Sequence, residues 1–279
     1  MCCLHKLEDL KKRIAEKGKL LVAYSGGVDS SLLAKVASSV LGENALCVLL
    51  DTETLPRSEL KIAEELAGSL GLNFQIAKYS ILDDQEFVKN PATRCYLCKK
   101  KTARVLKSIA KAKSISCIAD GVNLSDYEDF RPGIRACNEE EIWHPLAEAQ
   151  MTKQDIRDIA WEMGLPFWNK PSSACLSSRI PYGHRITEEN LKMVEEAEDY
   201  LRALGFGQLR ARCHGNLARI ELSREDTERA LSFRDEIVRR LKGLGFDYVT
   251  LDLEGFRSGS MNEVLSATRP LKGTGLPLG

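Results

Sequence analysis

The sequence predicts an α/β fold, a doubly wound parallel sheet followed by a small α+β domain, and three observations carry that prediction. Short apolar runs alternate with stretches of helical periodicity through the first 170 residues. A Gly/Ser-rich turn, "YSGGVDSS" (24–31), joins the first strand-like run to the first helical one. The register then breaks at "WNKPSSACLSSRIPYGHRIT" (168–187), an aperiodic stretch rich in Ser, Pro and Gly.

In chain order, "KLLVAY" (19–24) reads as a buried strand and Asp29 to about Leu41 as a helix. "ALCVLLD" (45–51) is a second strand, and the helix in "RSELKIAEELAGSLG" stops at Gly71. "NFQIAKY" and "SISCIADG" are further strands, with a Lys-rich helix from about Leu97 to Ala112 between them. "EIWHPLAE" leads into "MTKQDIRDIAWEMGLP", where Thr152 and Asp155 have the spacing of an N-cap and a first-turn acid. Beyond the loop come a helix (188–204), strands "QLRARCH" and "LARIELS" around a His214-Gly215-Asn216 hairpin turn, a helix (224–242) and the strand "DYVTLDL". The expected division is a nucleotide domain over 1–170, an active-site loop and linker over 171–187 and a small α+β substrate or oligomerisation domain over 188–262. The tail, 263–279, is expected to be disordered.

Composition narrows the function. Of 279 residues, 43% are hydrophobic and 29% charged, which suits a globular protein with a sizeable core. Lys+Arg and Asp+Glu number 40 each, so no basic field marks a polyanionic partner, and nucleic acid is not the expected ligand. The start, "MCCLHKLEDLKKR", lacks an apolar core of signal-peptide length and no later run is long enough for a membrane, so the cytoplasm is the expected compartment. Structural disulfides among the nine cysteines are not expected there. Cys47 and Cys117 lie in strand-like runs and read as buried thiols, Cys2 and Cys3 belong to a mobile terminus, and Cys137 and Cys213 lean towards structure.

Two groups of residues carry chemistry. In "YSGGVDSS", Gly26 and Gly27 let backbone N–H groups approach an anion, Ser25, Ser30 and Ser31 add hydroxyls, and the helix N-terminus adds partial positive charge. Asp29 would repel phosphate unless it faces Mg²⁺ or caps the turn. In "NPATRCYLCKKK" (90–101), Cys95 and Cys98 form a C-x-x-C pair without a second pair to close a zinc site. Arg94 and Lys99 to Lys101 are expected to keep such thiols ionised. Further along, Arg210 and Arg212 alternate on one strand and share a face able to clamp a phosphate, or to meet solvent, with Arg219 across the hairpin. Asp120, Asn123, Asp126 and Asp129 form an acidic run suited to a metal, a substrate or a capped turn, and "RSGSMN" (257–262) offers donors for an anion or a turn.

"SGGVDSS" resembles the pyrophosphate loop of the PP-loop ATPases, and no Walker G-x-x-x-x-G-K-[ST] occurs in the chain. "DGVNLSDYEDFRPG", "KPSSACLSSRIPYG", "LRARCHGNLARIEL" and "LEGFRSGSMN" together resemble the LarE family over roughly Leu20 to Asn262. That family comprises ATP-dependent sulfur transferases of nickel-pincer cofactor synthesis, the cofactor of lactate racemase. The resemblance implies that Ser25, Gly26, Gly27, Asp29 and Ser30 grip ATP with Mg²⁺, and that a carboxylate of a pyridinium biscarboxylate mononucleotide is adenylated and converted to a thiocarboxylate. It implies Arg210 and Arg212 as the substrate-phosphate clamp, and a homo-oligomer.

In one branch the cysteine matching Cys175 is a sacrificial sulfur donor that becomes dehydroalanine; in another, three cysteines hold a 4Fe–4S cluster. Cys95, Cys98 and Cys175 resemble the latter. Alternatives stay open: zinc on these three with His144 or Cys213, unpaired cysteines with Cys175 as lone donor, a tRNA thiolation enzyme, or a nucleotide-binding sensor without catalysis.

Overall fold

The computed structural model describes residues 3–128, 132–171, 173–257 and 259–263. The chain forms two compact units, Met1–Cys175 and Leu176–Gly279. In order the first contains α1 (Cys3–Ala15), β1 (Leu20–Tyr24), α2 (Val28–Leu41), β2 (Ala45–Asp51), α3 (Arg57–Ser69), β3 (Phe74–Lys78), α4 (Gln85–Val88), α5 (Arg94–Ala112), β4 (Ile118–Ala119), α6 (Pro132–Glu139), α7 (Pro145–Glu148) and α8 (Lys153–Glu162). The second contains α9 (Glu188–Ala203), β5 (Leu209–His214), β6 (Leu217–Leu222), α10 (Arg224–Ser232), α11 (Arg234–Gly243) and β7 (Tyr248–Leu251).

The first sheet runs β3-β2-β1-β4, and every pairing is parallel. Parallel strands buried on both faces need near-continuous apolar runs, which β1 (LLVAY) and β2 (ALCVLLD) supply. Alternate residues go to opposite sides. Leu20, Val22 and Tyr24 join Leu10, Ile14, Leu33, Ala63 and Ile159 in one core, while Leu21, Leu46 and Val48 meet Ala103, Leu106 and Ala110 of α5 in the other. Helices therefore cover both faces, as a doubly wound sheet requires. The chain leaves β1 outward through β2 and β3 and then returns to β1's other side with β4, so the strand order reverses between β1 and β4. Such a reversal opens a crevice at the strands' carboxyl ends.

The second unit is a three-stranded sheet, β5-β6-β7. Its antiparallel hairpin pairs His214 with Leu217, leaving a two-residue Gly215-Asn216 loop in which Gly215 takes φ +66. Strand β7 joins β6 in parallel.

Four details differ from the sequence reading. Helix α1 already begins at Cys3, whereas Cys2 and the tail from 264 lie outside the described residues. The Lys-rich helix starts at Arg94 rather than Leu97, because buried Arg94 donates to Asn90 Oδ1 at 2.7 Å and anchors the first turn just after Pro91. The short helix α6 was not foreseen. The expected helix 224–242 is two, broken at Phe233, whose ring meets Phe206 edge-on at a centroid distance of 6.0 Å.

Candidate active site

The phosphate loop follows β1 directly. Gly26 has φ +70, and a Cβ there would stand 2.6 Å from the Ala63 side chain of α3, so glycine is required on both backbone and steric grounds. Gly27 occupies the N-cap of α2, and no side chain caps that end. Ser25 and Ser30 place their Oγ atoms 3.0 Å apart, the Ser25 N–H donates to Ser30 Oγ at 3.2 Å, and Ser30 Oγ donates to the Gly27 carbonyl at 3.2 Å. Across the strand reversal Gly121 follows β4, where a Cβ would come within 2.8 Å of the Ser30 amide nitrogen. Two glycines thus let α3 and the β4 loop close on the loop that would hold the phosphates. Asp29 sits in the first turn of α2.

One prediction arises here. Gly26→Ala should cost about 1–2 kcal/mol of folding stability from the left-handed backbone alone. It should also weaken ATP binding, since α3 or the loop must move to relieve the clash. Urea unfolding and ATP titration of the variant read both effects; wild-type values for both would show that the loop tolerates a side chain.

The C-x-x-C pair lies inside α5, so Cys95 and Cys98 stand at i and i+3 on one helical face. Both feel Cys175 electrostatically, and all three sequence-predicted cysteines lie in the first unit. Among the described residues, however, no three His, Cys, Asp or Glu side chains stand at metal-ligand spacing. The expectation of ionised thiols is corrected. Burial, then the charge of Cys175, pushes Cys98 up to about 11 and raises Cys95, against the smaller opposing effects of Arg94 and Lys99. By themselves the thiols oppose one another's ionisation. The neighbouring lysines are also partly engaged elsewhere: Lys100 pairs with Glu139 at 3.1 Å and Glu140 at 2.9 Å, and Lys101 donates to the Ser80 carbonyl at 2.7 Å. For Lys99, burial disfavours the charged form, but Asp120 and the thiols of Cys137, Cys98 and Cys95 more than offset it and raise its pKa.

The acidic run divides. Asp120 is buried and faces His144 Nδ1 at 2.6 Å; despite burial, that bond and the Lys99 charge hold its carboxyl below the usual range. His144 Nε2 lies 2.9 Å from Asn138 Oδ1, so both ring nitrogens are engaged. The Asn123 N–H donates to Asp126 Oδ2 at 3.1 Å at the start of a short 3-10 turn, the capped-turn reading, and Asp129 lies outside the described residues.

In the second unit Arg210 and Arg212 share a face of β5 but differ in state. Arg212 is buried, with Nη2 on Glu221 at 2.7 Å and Ser260 Oγ at 3.0 Å and Nη1 on the Ser178 carbonyl at 3.0 Å. Arg219 shares the same Glu221 at 2.8 Å. Arg210 makes no ion pair among the described residues; it lies over the Phe256 ring at 5.1 Å, and burial together with nearby Arg179 and Arg212 pushes its pKa down to about 10. Of the two, Arg210 has its charge available to an anion. Within "RSGSMN", Ser260 serves this network, Asn262 accepts from Tyr182 at 2.9 Å, and Ser258 lies outside the described residues. Cys213 is buried and donates to the Gly215 carbonyl at 3.1 Å, a structural use.

Sequence reasoning missed Lys170, which reaches the carbonyl of Gly26 at 3.0 Å from 144 residues away, and Glu59, which holds it at 2.8 Å. No local pattern links them.

Comparison with known proteins agrees with this geometry. The NAD synthase family matches residues 4–113, the part that contains the phosphate loop. An uncharacterized protein of Synechocystis is 43% identical over 94% of this chain and 98% of its own. The pyridinium-3,5-bisthiocarboxylic acid mononucleotide synthase of Lactiplantibacillus plantarum is 41% identical over 89% of this chain and 90% of its own. An uncharacterized protein of Methanocaldococcus jannaschii is 34% identical over 92% of this chain and its own full length. With the phosphate loop at the strand reversal and likeness along nearly the whole chain, the protein belongs to the pyridinium-3,5-bisthiocarboxylic acid mononucleotide synthase family of PP-loop ATPases.

Proposed function

We propose that this enzyme is an ATP-dependent sulfur transferase that adenylates a carboxylate of pyridinium biscarboxylate mononucleotide and converts it to a thiocarboxylate. The observation that carries the reading is the SGGVDSS phosphate loop at the strand reversal, closed on by α3 and the β4 loop, in the unit that also bears Cys95, Cys98 and Cys175. The product named for the Lactiplantibacillus relative supports the choice of substrate.

A carboxylate resists nucleophiles because its charge is delocalised. Its oxygen attacks the α-phosphorus of ATP, the α–β bridging bond breaks, and pyrophosphate leaves. Ser25, Gly26, Gly27 and Ser30 hold the departing phosphates, and Asp29 would hold Mg²⁺, which when bound supplies positive charge beside them. A sulfur nucleophile then adds to the acyl carbon, and AMP leaves with the original carboxylate oxygen. Arg210, with Arg212 behind it, binds the mononucleotide's phosphate.

The donor set of three thiols, with no imidazole or carboxylate among them, suits iron–sulfur ligation. Cys95, Cys98 and Cys175 would hold a 4Fe–4S cluster, which when bound supplies sulfide as the nucleophile and leaves one iron without a protein ligand. Zinc with His144 as fourth ligand fits poorly, since both ring nitrogens are already hydrogen-bonded. The enzyme is further proposed to work in the cytoplasm as a homo-oligomer; among the described residues no helix is long and apolar enough to cross a membrane.

Anaerobic purification with iron and sulfide analysis, followed by a mass spectrum after turnover, tests this. About four irons per chain and an unchanged protein mass are expected. Loss of one hydrogen sulfide at Cys175 would establish the sacrificial route instead. Tight, salt-sensitive retention of total tRNA on a filter would move the assignment to tRNA thiolation, and ATP binding without pyrophosphate release would leave only a sensor.

A further inference from the structure

A loop that grips the phosphates of ATP needs a cation, and "YSGGVDSS" contains none; its only charged residue, Asp29, is acidic. The tertiary structure brings one. Lys170 lies five residues before Cys175, and its Nζ sits 3.0 Å from the Gly26 carbonyl of the phosphate loop and 2.8 Å from Glu59 Oε2. Its side chain is 17% exposed, so it remains open to a ligand.

Its backbone is fixed as well as its tip. Arg157 of α8 donates to the carbonyls of Trp168 at 3.1 Å and Lys170 at 2.9 Å. Glu59, in the first turn of α3, holds the tip. An ammonium has three N–H donors. Two have acceptors here; among the described residues the third has none. A lysine whose stem and head are both anchored, beside the loop's own carbonyl, with one donor in reserve, has the construction of a phosphate contact rather than of a surface ion pair.

We propose that Lys170 is the cation of the phosphate loop, giving its third N–H to an oxygen of the β or γ phosphate of ATP, with Glu59 as the residue that positions it. The proposal rests on the reading of the loop as an ATP site. It accounts for how a Gly26 carbonyl and a Glu59 carboxylate can border a polyanion: Lys170 stands between them and bonds to both. It also places the ATP cation on the segment that continues to Cys175, so phosphate binding and the placement of the sulfur-bearing loop share one side chain.

The test compares ATP with AMP, which lacks the contacted phosphates. Lys170→Met should weaken ATP binding about tenfold to a hundredfold and leave AMP affinity within about twofold, with Lys170→Arg recovering part of the loss. Equal losses for ATP and AMP would reduce Lys170 to a structural strut, and unchanged ATP affinity would remove it from the site; either overturns the proposal. Wild-type protein supplies a readout independent of how the variants fold, the rate of lysine acetylation at Lys170 followed by mass spectrometry. ATP should slow it at least about fivefold and AMP should not, as expected for a donor engaged only by the outer phosphates; equal rates with both nucleotides overturn the proposal. Failure of wild-type protein to bind ATP at all would instead sink the nucleotide reading beneath it.

Discussion

Cys175→Ala is expected to lower thiocarboxylate formation by at least about a thousandfold while leaving ATP binding intact, the pattern for loss of an essential reacting group. The reason lies in the division of labour proposed for the first unit. The phosphate loop and its glycines are complete without Cys175, so adenylation of the substrate carboxylate and pyrophosphate release should persist as a partial reaction. Sulfur delivery should not. In the proposed arrangement the variant leaves two thiols, Cys95 and Cys98, and iron content should fall well below about four per chain. Cys95→Ala and Cys98→Ala should then copy the iron loss. If Cys175 acts alone as donor, those two variants should instead keep most of the single-turnover activity. Pyrophosphate release, product mass and iron analysis on the same three variants separate the two outcomes. Wild-type sulfur transfer by Cys175→Ala would overturn the site.

The second large effect concerns the second unit. Arg179 and Glu198 are each about 1% exposed and meet through two hydrogen bonds, Nε to Oε1 at 2.8 Å and Nη2 to Oε2 at 3.0 Å. Arg202 adds a third contact to Glu198 at 2.8 Å, and the Ala211 amide of β5 donates to it at 3.2 Å. Glu198→Gln keeps the shape but removes the negative charge that faces Arg202 and buried Arg179, so a loss of about 3–5 kcal/mol is expected in denaturant unfolding. Replacing both partners with apolar residues, Arg179→Met with Glu198→Leu, should recover most of it, because the penalty is that of an uncompensated charge.

A pH dependence follows from the same pair. Burial opposes ionisation of Glu198, but the Arg179 hydrogen bond and the charges of Arg179, Arg202 and Arg210 outweigh it and place its pKa below the usual carboxylate value. The unfolded chain therefore binds a proton more readily than the native one. The contribution is present above the ordinary glutamate pKa of about 4.3 and is lost as pH falls below it through the native pKa. Wild-type stability should drop over that acid range more steeply than that of the double apolar variant.

Much of the fold was legible because its signals are local. A short apolar run bounded by turn residues, such as LLVAY or ALCVLLD, reads as a strand buried on both faces, and Gly71 at φ +65 stops its helix by conformation alone. Boundaries that depend on remote partners were not legible. The start of α5 at Arg94 depends on Asn90, and the break between α10 and α11 at Phe233 depends on an aromatic contact with Phe206. The candidate site divides in the same way. "SGGVDSS" announced itself, since phosphate binding by backbone amides demands that local pattern. The unequal states of Arg210 and Arg212 were invisible in an alternating strand, because Glu221 and Ser260, which occupy Arg212, come from other segments.

By itself, then, the order of residues determined the parallel sheet and the phosphate loop, because each depends on periodicity or spacing within a few residues. Tertiary structure alone decided which charges are spent and which remain free. It tied Arg212 to Glu221, engaged both nitrogens of His144, drew Cys175 towards the C-x-x-C helix, and carried Lys170 across 144 residues to the loop that lacked a cation. The physical reason is range. Backbone conformation is set by neighbours in sequence, whereas the state of a charge is set by whatever side chains folding places within a few ångströms of it.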